Sequence, residues 1–262
     1  MDLAAIVPLW VTMPSFVLLF LGVSWGILLL VRPWVRRAAA NHEEWDRVLG
    51  YAMSSYGLFY GILLALIAVS VYENFERVDV VVLDEVSSLG ALYRGMSGYP
   101  ESLAMELQGH VRDYTLSVIA EDWPLQQQGI IPSEGNTRVD HIQALLLSFE
   151  PTTIGQQTLH NQILSEFFDF LEARRARLDE TDLALPPVMW VVVGIGAVIN
   201  ATMLALVEAR NLRVHLIMSG IIAVFVALLI FVTASMDHPY SGYVNISPEA
   251  FQNLVDQLMV QR

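Results

Sequence analysis

The chain has no cysteine and no lysine. The first absence removes disulfides, thiolate metal sites and thiol nucleophiles. The second makes every basic residue an arginine, 14 in all. Charge of either sign is scarce: 16% of residues are charged, well under the quarter or so usual in soluble domains. What charge there is leans acidic, with a formal net charge of −13. Such a surface repels a phosphate backbone and argues against a nucleic-acid partner. Catalytic signatures are also missing. His42-Glu43-Glu44-Trp45 lacks the second histidine of a zinc-protease helix, and there is no phosphate-binding glycine loop or Gly-x-Ser-x-Gly elbow. The chain is therefore not expected to be an enzyme, and no cofactor is called for.

Hydrophobic residues make up 55% of the sequence, and mean hydropathy is +0.50. The apolar excess is concentrated in four charge-free runs, between Asp2 and Arg32, Arg47 and Glu73, Asp182 and Glu208, and Arg213 and Asp237. Each exceeds the roughly 20 residues that cross a bilayer core as a helix. Pro14 falls inside the first run, where it would kink the helix or mark its start. Met1-Asp2-Leu3 carries no basic residue and the run is long, so it does not read as a cleavable signal peptide. The implied fold class is an all-α membrane protein. Four transmembrane helices carry an extramembrane helical domain built on extensions of the second and third spans. The divisions are 1–72 (spans one and two), 73–185 (the helical domain), 186–236 (spans three and four) and 237–262 (a turn and an amphipathic helix packing on the domain).

Arg32, Arg36, Arg37 and Arg47 lie between spans one and two, and Arg210 and Arg213 between three and four. The positive-inside rule makes both connections cytoplasmic, which puts both termini and the domain outside an inner cell membrane. Arg77, Arg174, Arg175 and Arg177 are counter-evidence near other membrane ends. Trp10 and Trp190 at one interface, with Trp34 and Tyr51 at the other, fit an aromatic belt.

Outside the membrane the pattern is helical. Val78, Val82, Val86, Leu89 and Tyr93 extend the second span until Gly98-Tyr99-Pro100 stops it. A helix with Leu103, Leu107, Val111, Tyr114 and Val118 on one face follows, ending at Asp122-Trp123-Pro124. A loop over 125–137 leads to a short helix marked by Val139, Ile142, Leu146 and Phe149. A long helix carries Leu159, Ile163, Phe167, Leu171 and Leu178, broken near Pro186-Pro187. Ser247-Pro248-Glu249 opens the last helix, with Phe251, Leu254, Val255 and Leu258 as its apolar face.

Small residues mark the candidate site. In the second span Gly50, Ser54, Gly57, Gly61, Ala65 and Ala68 share one stripe at helical spacing. Small residues let helix backbones approach closely in lipid, which suits a bundle and a homo-oligomer. The functional reading makes Ser54, Gly57, Gly61, Ala65 and Ala68 pore-lining; the plainer one is packing within the chain. Span three has a comparable stripe, Gly194, Ala197, Ala201 and Ala205, and span four has Gly220, Ala223 and Ala227. Asn200 is the most polar group deep in the membrane, a candidate functional residue or an interhelical hydrogen-bonding one. No carboxylate lies mid-span, which argues against a proton relay. His110, His141 and His160 are distant in sequence; packed or solvated histidines are the simpler reading than a metal site. Glu85, Asp122 and Asp237, with Asp79, Asp84 and Glu121 nearby, would suit a calcium ion. Ordinary ion pairing, for instance of Glu85 or Asp237 with Arg94, is the alternative.

The order of several features is similar to that of a known family. They are Tyr56-Gly57 to Gly61, Glu85 before Leu92-Tyr93-Arg94, Tyr99-Pro100 and Glu121-Asp122-Trp123-Pro124. Met236-Asp237-His238-Pro239-Tyr240-Ser241-Gly242 then precedes Ser247-Pro248-Glu249. The chain resembles the bestrophin-like domain family, four-span membrane proteins, from about Tyr51 to Leu258. Bestrophins are oligomeric anion channels whose second helix lines the pore and whose calcium clasp follows the fourth span. The resemblance thus implies a homo-oligomeric ion channel in a lipid bilayer, anion-conducting by analogy, with Asp237 near the clasp position. The acidic domain would instead favour cations at the pore mouth. The competing expectation is a non-conducting membrane scaffold or sensor whose extramembrane helices bind a partner.

Overall fold

The computed structural model describes residues 8–38, 42–133, 135–209 and 211–259. Met1-Asp2-Leu3 and Arg210, which entered the reading of the leader and of the orientation, lie outside the described residues. The elements are α1 (Leu9–Ala38), α2 (His42–Met96), α3 (Glu101–Ser117), α4 (Trp123–Gln126), α5 (Gly135–Ser148), α6 (Ile154–Asp179), α7 (Pro187–Ala205), α8 (Leu212–Met236) and α9 (Glu249–Leu254). Among the described residues there is no strand. The chain divides into a membrane unit, 1–73 with 184–237, and an extramembrane unit, 74–183 with 238–262.

In the membrane unit α1, α2, α7 and α8 are each long and apolar enough to span a bilayer. Helices satisfy every backbone amide internally, which hydrocarbon demands. α1 starts at Leu9, directly after Pro8, and runs through both Pro14 and Pro33. Pro14 is thus interior to the helix and does not open it. Pro187 occupies the first turn of α7, where its missing N–H costs nothing. Asn211 caps α8 by accepting a hydrogen bond from the Arg213 backbone N–H at 3.0 Å.

Helices in lipid gain little from apolar burial, so close packing and interhelical hydrogen bonds hold the bundle. Tryptophan and tyrosine donors supply four such bonds to main-chain carbonyls among the described residues. Trp25 Nε1 donates to Leu216 O at 3.1 Å and Trp45 Nε1 to Leu206 O at 3.1 Å. Tyr60 Oη donates to Val193 O at 3.0 Å, and Tyr56 Oη to Gly196 O. Glycine permits the closest of these approaches. A Cβ on Gly196 would lie 2.2 Å from the Tyr60 ring, and one on Gly220 would lie 3.2 Å from Trp25. Tyr60, Leu64 and Ile67 of α2 close a cluster with Val193 and Ala197 of α7 and Val226 of α8.

The extramembrane unit has a water-excluded core. Val78, Val82, Leu89, Leu92 and Met96 from α2 meet Leu107, Val111 and Tyr114 from α3 and Ile142 and Leu146 from α5. Phe167 and Phe170 from α6 and Phe251 from α9 complete it. Each such side chain contributes about 1.5–3 kcal/mol when taken fully out of water. After α3 the backbone widens into a π-helical turn, Val118–Asp122, and stays helical through α4. The expected stop at Pro124 does not occur. Trp123 N–H reaches back to Val118 O across the wide turn, and Pro124, at the start of α4, needs no donor. On α6 the buried face is His160, Ile163, Phe167, Phe170, Arg174 and Arg177. That face is rotated from the expected one, leaving Leu159, Leu171 and Leu178 only partly buried. Pro248, not Ser247, is the N-cap residue of α9, and no side chain caps it.

Candidate functional site

The small-residue stripe of α2 is open. Gly50, Ser54, Gly57, Gly61 and Ala65 are exposed and Ala68 is partly exposed. An added Cβ at Gly57 or Gly61 would meet no heavy atom within 4 Å. Each residue advances a helix by about 100°, so this stripe sits roughly a quarter turn from the buried Tyr60, Leu64 and Ile67. The other two stripes behave differently. Ala197, Ala201 and Ala205 of α7 and Gly220, Ala223 and Ala227 of α8 are buried within the unit, with only Gly194 exposed. Ser54 returns its hydroxyl to Gly50 O at 2.8 Å, so the stripe presents small groups and little uncompensated polarity.

The extramembrane unit holds a buried charge network centred on Arg177. Neither Arg177 nor Glu85 keeps any exposed side-chain surface. Arg177 Nε donates to Glu85 Oε2 at 2.5 Å, and Nη2 to Asp122 Oδ2 at 3.3 Å. Nη1 donates to Gln126 Oε1. Tyr114 Oη donates to Glu85 Oε1 at 2.6 Å, and Gln126 Nε2 to Thr181 Oγ1 at 2.9 Å. Tyr240 Oη reaches Arg177 O at 3.3 Å. Arg174 adds a second cation over the Tyr114 ring, held by Asn136 Oδ1 at 3.0 Å. Burial pushes the Asp122 carboxyl above its usual 3.8, against the pull of Arg177 and Arg174. Burial, then the Glu85 charge, drives the Tyr114 phenol well above 10.0. Burial alone would weaken the Arg177 proton; Glu85 beside it reverses the sign and holds the proton more tightly than usual.

Comparison with known proteins assigns the chain. The bestrophin-like domain family model matches residues 18–251. The chain belongs to the bestrophin-like family. Its fold is similar to that of a bacterial bestrophin homologue from Klebsiella pneumoniae, solved as a point variant, with a TM-score of 0.67 at 11% identity over 94% of this chain and 99% of that one. A second variant of that homologue gives a TM-score of 0.62 at 12% identity over 95% and 99%. A solved structure described only as a membrane protein gives 0.62 at 14% over 92% and 96%. Among curated proteins no relative is found.

The bestrophin-like chain distributes its acidic candidates in two places. Glu85 and Asp122 meet around Arg177 in the extramembrane unit. Arg94 is exposed on α2 and forms no ion pair with Glu85 or Asp237 among the described residues. Asp237 belongs to the membrane unit, where it accepts from the Leu185 backbone N–H at 2.9 Å and from Trp190 Nε1 at 2.8 Å. A calcium ion needs six to eight oxygens. Both carboxylate oxygens of Asp237 face N–H donors instead. Among the described residues no three acidic or histidine side chains group as metal ligands. Asn200 is half-buried on α7 and forms no side-chain hydrogen bond among the described residues. His160 Nδ1 lies 2.6 Å from Tyr99 Oη in the interior, while His110 and His141 stack on one another.

Sequence reasoning missed Arg177 as the hub, weighing it only as a charge near a membrane end. A signal was present. Ile163, Phe167, Phe170, Arg174 and Arg177 step by four and three, which puts both arginines on the apolar face of α6.

Proposed function

We propose that this chain forms a homo-oligomeric ion channel whose pore is lined by the α2 face bearing Ser54, Gly57, Gly61 and Ala65. One observation carries the reading. Of three small-residue stripes, those of α7 and α8 are used almost wholly in packing the chain's own bundle, and that of α2 is left open. In lipid such a face is matched to another backbone or to water. Membership of a family named for channel proteins supports the same conclusion. The ion preference we propose is cationic at the mouth, since the extramembrane unit supplies the acidic excess.

Recording from the purified protein in planar bilayers tests the reading. Conductance above a lipid control is expected, with a reversal potential displaced toward the cation under a salt gradient. Gly61→Leu should abolish current, because four extra carbons per subunit would crowd the axis. Intact oligomers with no conductance would overturn it and favour a scaffold.

A further inference from the structure

We infer that a groove between α1 and α7 holds one acyl chain of a membrane phospholipid, a property separate from ion conduction. The groove encloses about 290 Å³ and is partly open, since Leu19, Val23 and Val198 on its lining are exposed. Phe16, Phe20 and Ile27 of α1 line it with Trp190, Gly194 and Ala201 of α7, and Ile230 lines it from α8. Phe16 packs on Phe231 and Trp190 is bonded to Asp237, both at the C-terminal end of α8. Trp25 Nε1 reaches Leu216 O and His215 Nε2 meets Leu204 O, both at the start of α8. α1 and α7 therefore run parallel, and the groove follows them inward from the end of the bundle marked by Asp237.

The dimensions suit an extended hydrocarbon chain. From Phe16 to Ile27, and from Trp190 to Ala201, each helix advances about 16 Å at ~1.5 Å per residue. One leaflet offers roughly 15 Å, half of a hydrocarbon core of about 30 Å. The chemistry excludes water, which needs two or more polar partners in a cavity. Ser24 supplies the one hydroxyl on the lining, and Trp190 commits its N–H to Asp237. An apolar cavity of about 150 Å³ already stays dry and takes up a hydrocarbon, and this one is larger. Left empty, its walls would forfeit their dispersion contacts on one side. The groove is continuous with the lipid-facing surface of the spans, where Leu18, Leu19, Ile195 and Val198 are exposed. The small-residue face that awaits another backbone or water is on α2, and no α2 side chain lines the groove. Gly194 sets the width. A Cβ added there meets no heavy atom within 4 Å, so a larger side chain would enter the space that the acyl chain takes.

The full-length protein, extracted in mild detergent and examined by native mass spectrometry, should retain one phospholipid mass per chain. Gly194→Leu fills the groove from its own wall and should lower that occupancy at least fivefold. Ile221→Leu, on an exposed face of α8 that does not line the groove, should leave it unchanged. Matching elution profiles verify that both variants fold. In vesicles of phosphatidylethanolamine bearing a diazirine on one acyl chain, the parent should crosslink chiefly within 16–27 and 190–201. Val198→Cys introduces the sole thiol of the chain, and a benzophenone maleimide placed on it should attach to lipid. A parent without retained lipid, undiminished lipid in Gly194→Leu, or equal loss in both variants would overturn the assignment. Crosslinks spread evenly over the exposed residues of α8, or a benzophenone bridge to a second chain, would do the same.

Discussion

Arg177 shows what a buried charge demands of its surroundings. Its guanidinium reaches Glu85, Asp122 and Gln126, and each of these is also held in the interior. Removing one member of such a group strands the others, which typically costs about 3–5 kcal/mol, whereas replacing a pair together costs far less. Arg177→Met should therefore unfold the extramembrane unit at markedly lower denaturant. Glu85→Leu combined with Arg177→Met should recover part of the loss, a coupling measurable by a double-mutant cycle. Asp122 behaves oppositely to a typical salt-bridged acid. Its folded pKa lies above the usual 3.8, so the folded state takes up a proton more readily than the unfolded chain. Its charged form opposes folding above the raised value, and that penalty fades as pH falls through it toward 3.8. Asp122→Asn should be neutral or stabilising at pH 7, and its advantage over the parent should shrink on acidification. An advantage that grew as pH fell would contradict the assignment.

At the scale of elements, glycine separates packing from exposure. Gly196 lies under the Tyr60 ring, whose hydroxyl is anchored to Val193 O, so the ring has little freedom to retreat. Gly196→Ala should destabilise the membrane unit by about 1–3 kcal/mol, the usual range for overpacking. Gly57→Ala adds a methyl to open space and should leave thermal unfolding of the detergent-extracted chain unchanged. Equal loss in both variants would remove the distinction. The same elements show how much the sequence disclosed. Four charge-free runs yielded four spans because lipid leaves the backbone no alternative to a helix. The valines and leucines after Glu73 extended α2 to Met96, since the apolar period continues without a breaker until Gly98. The buried face of α6 was misplaced because leucines drew attention at positions 159, 171 and 178, while the true face mixes phenylalanine with arginine. The open stripe of α2 and the closed ones of α7 and α8 are alike in composition. Their neighbours in space tell them apart, among them Tyr60 beside Ala197 and Trp25 against Gly220.

At the scale of the whole molecule, charge near the bilayer bears on the orientation. Arg32, Arg36, Arg37, Arg47 and Arg213 flank the two short connections of the membrane unit. Translocating arginine against the membrane potential costs about 2.3 kcal/mol per charge per 100 mV, which is why short basic connections are expected to stay cytoplasmic. We therefore propose that residues 74–183 face the outside, presenting the acidic surface to incoming cations. The absence of cysteine makes this directly measurable, because any introduced thiol is the sole target. Gln127→Cys lies on an exposed turn of the extramembrane unit, and Arg213→Cys lies at the exposed start of α8. A membrane-impermeant maleimide applied to intact cells should label the first and spare the second until the cells are opened. Reversed labelling would place the acidic unit in the cytoplasm. A channel of the kind proposed would carry opposite surface charge on its two sides in the two orientations, so labelling should precede any interpretation of selectivity.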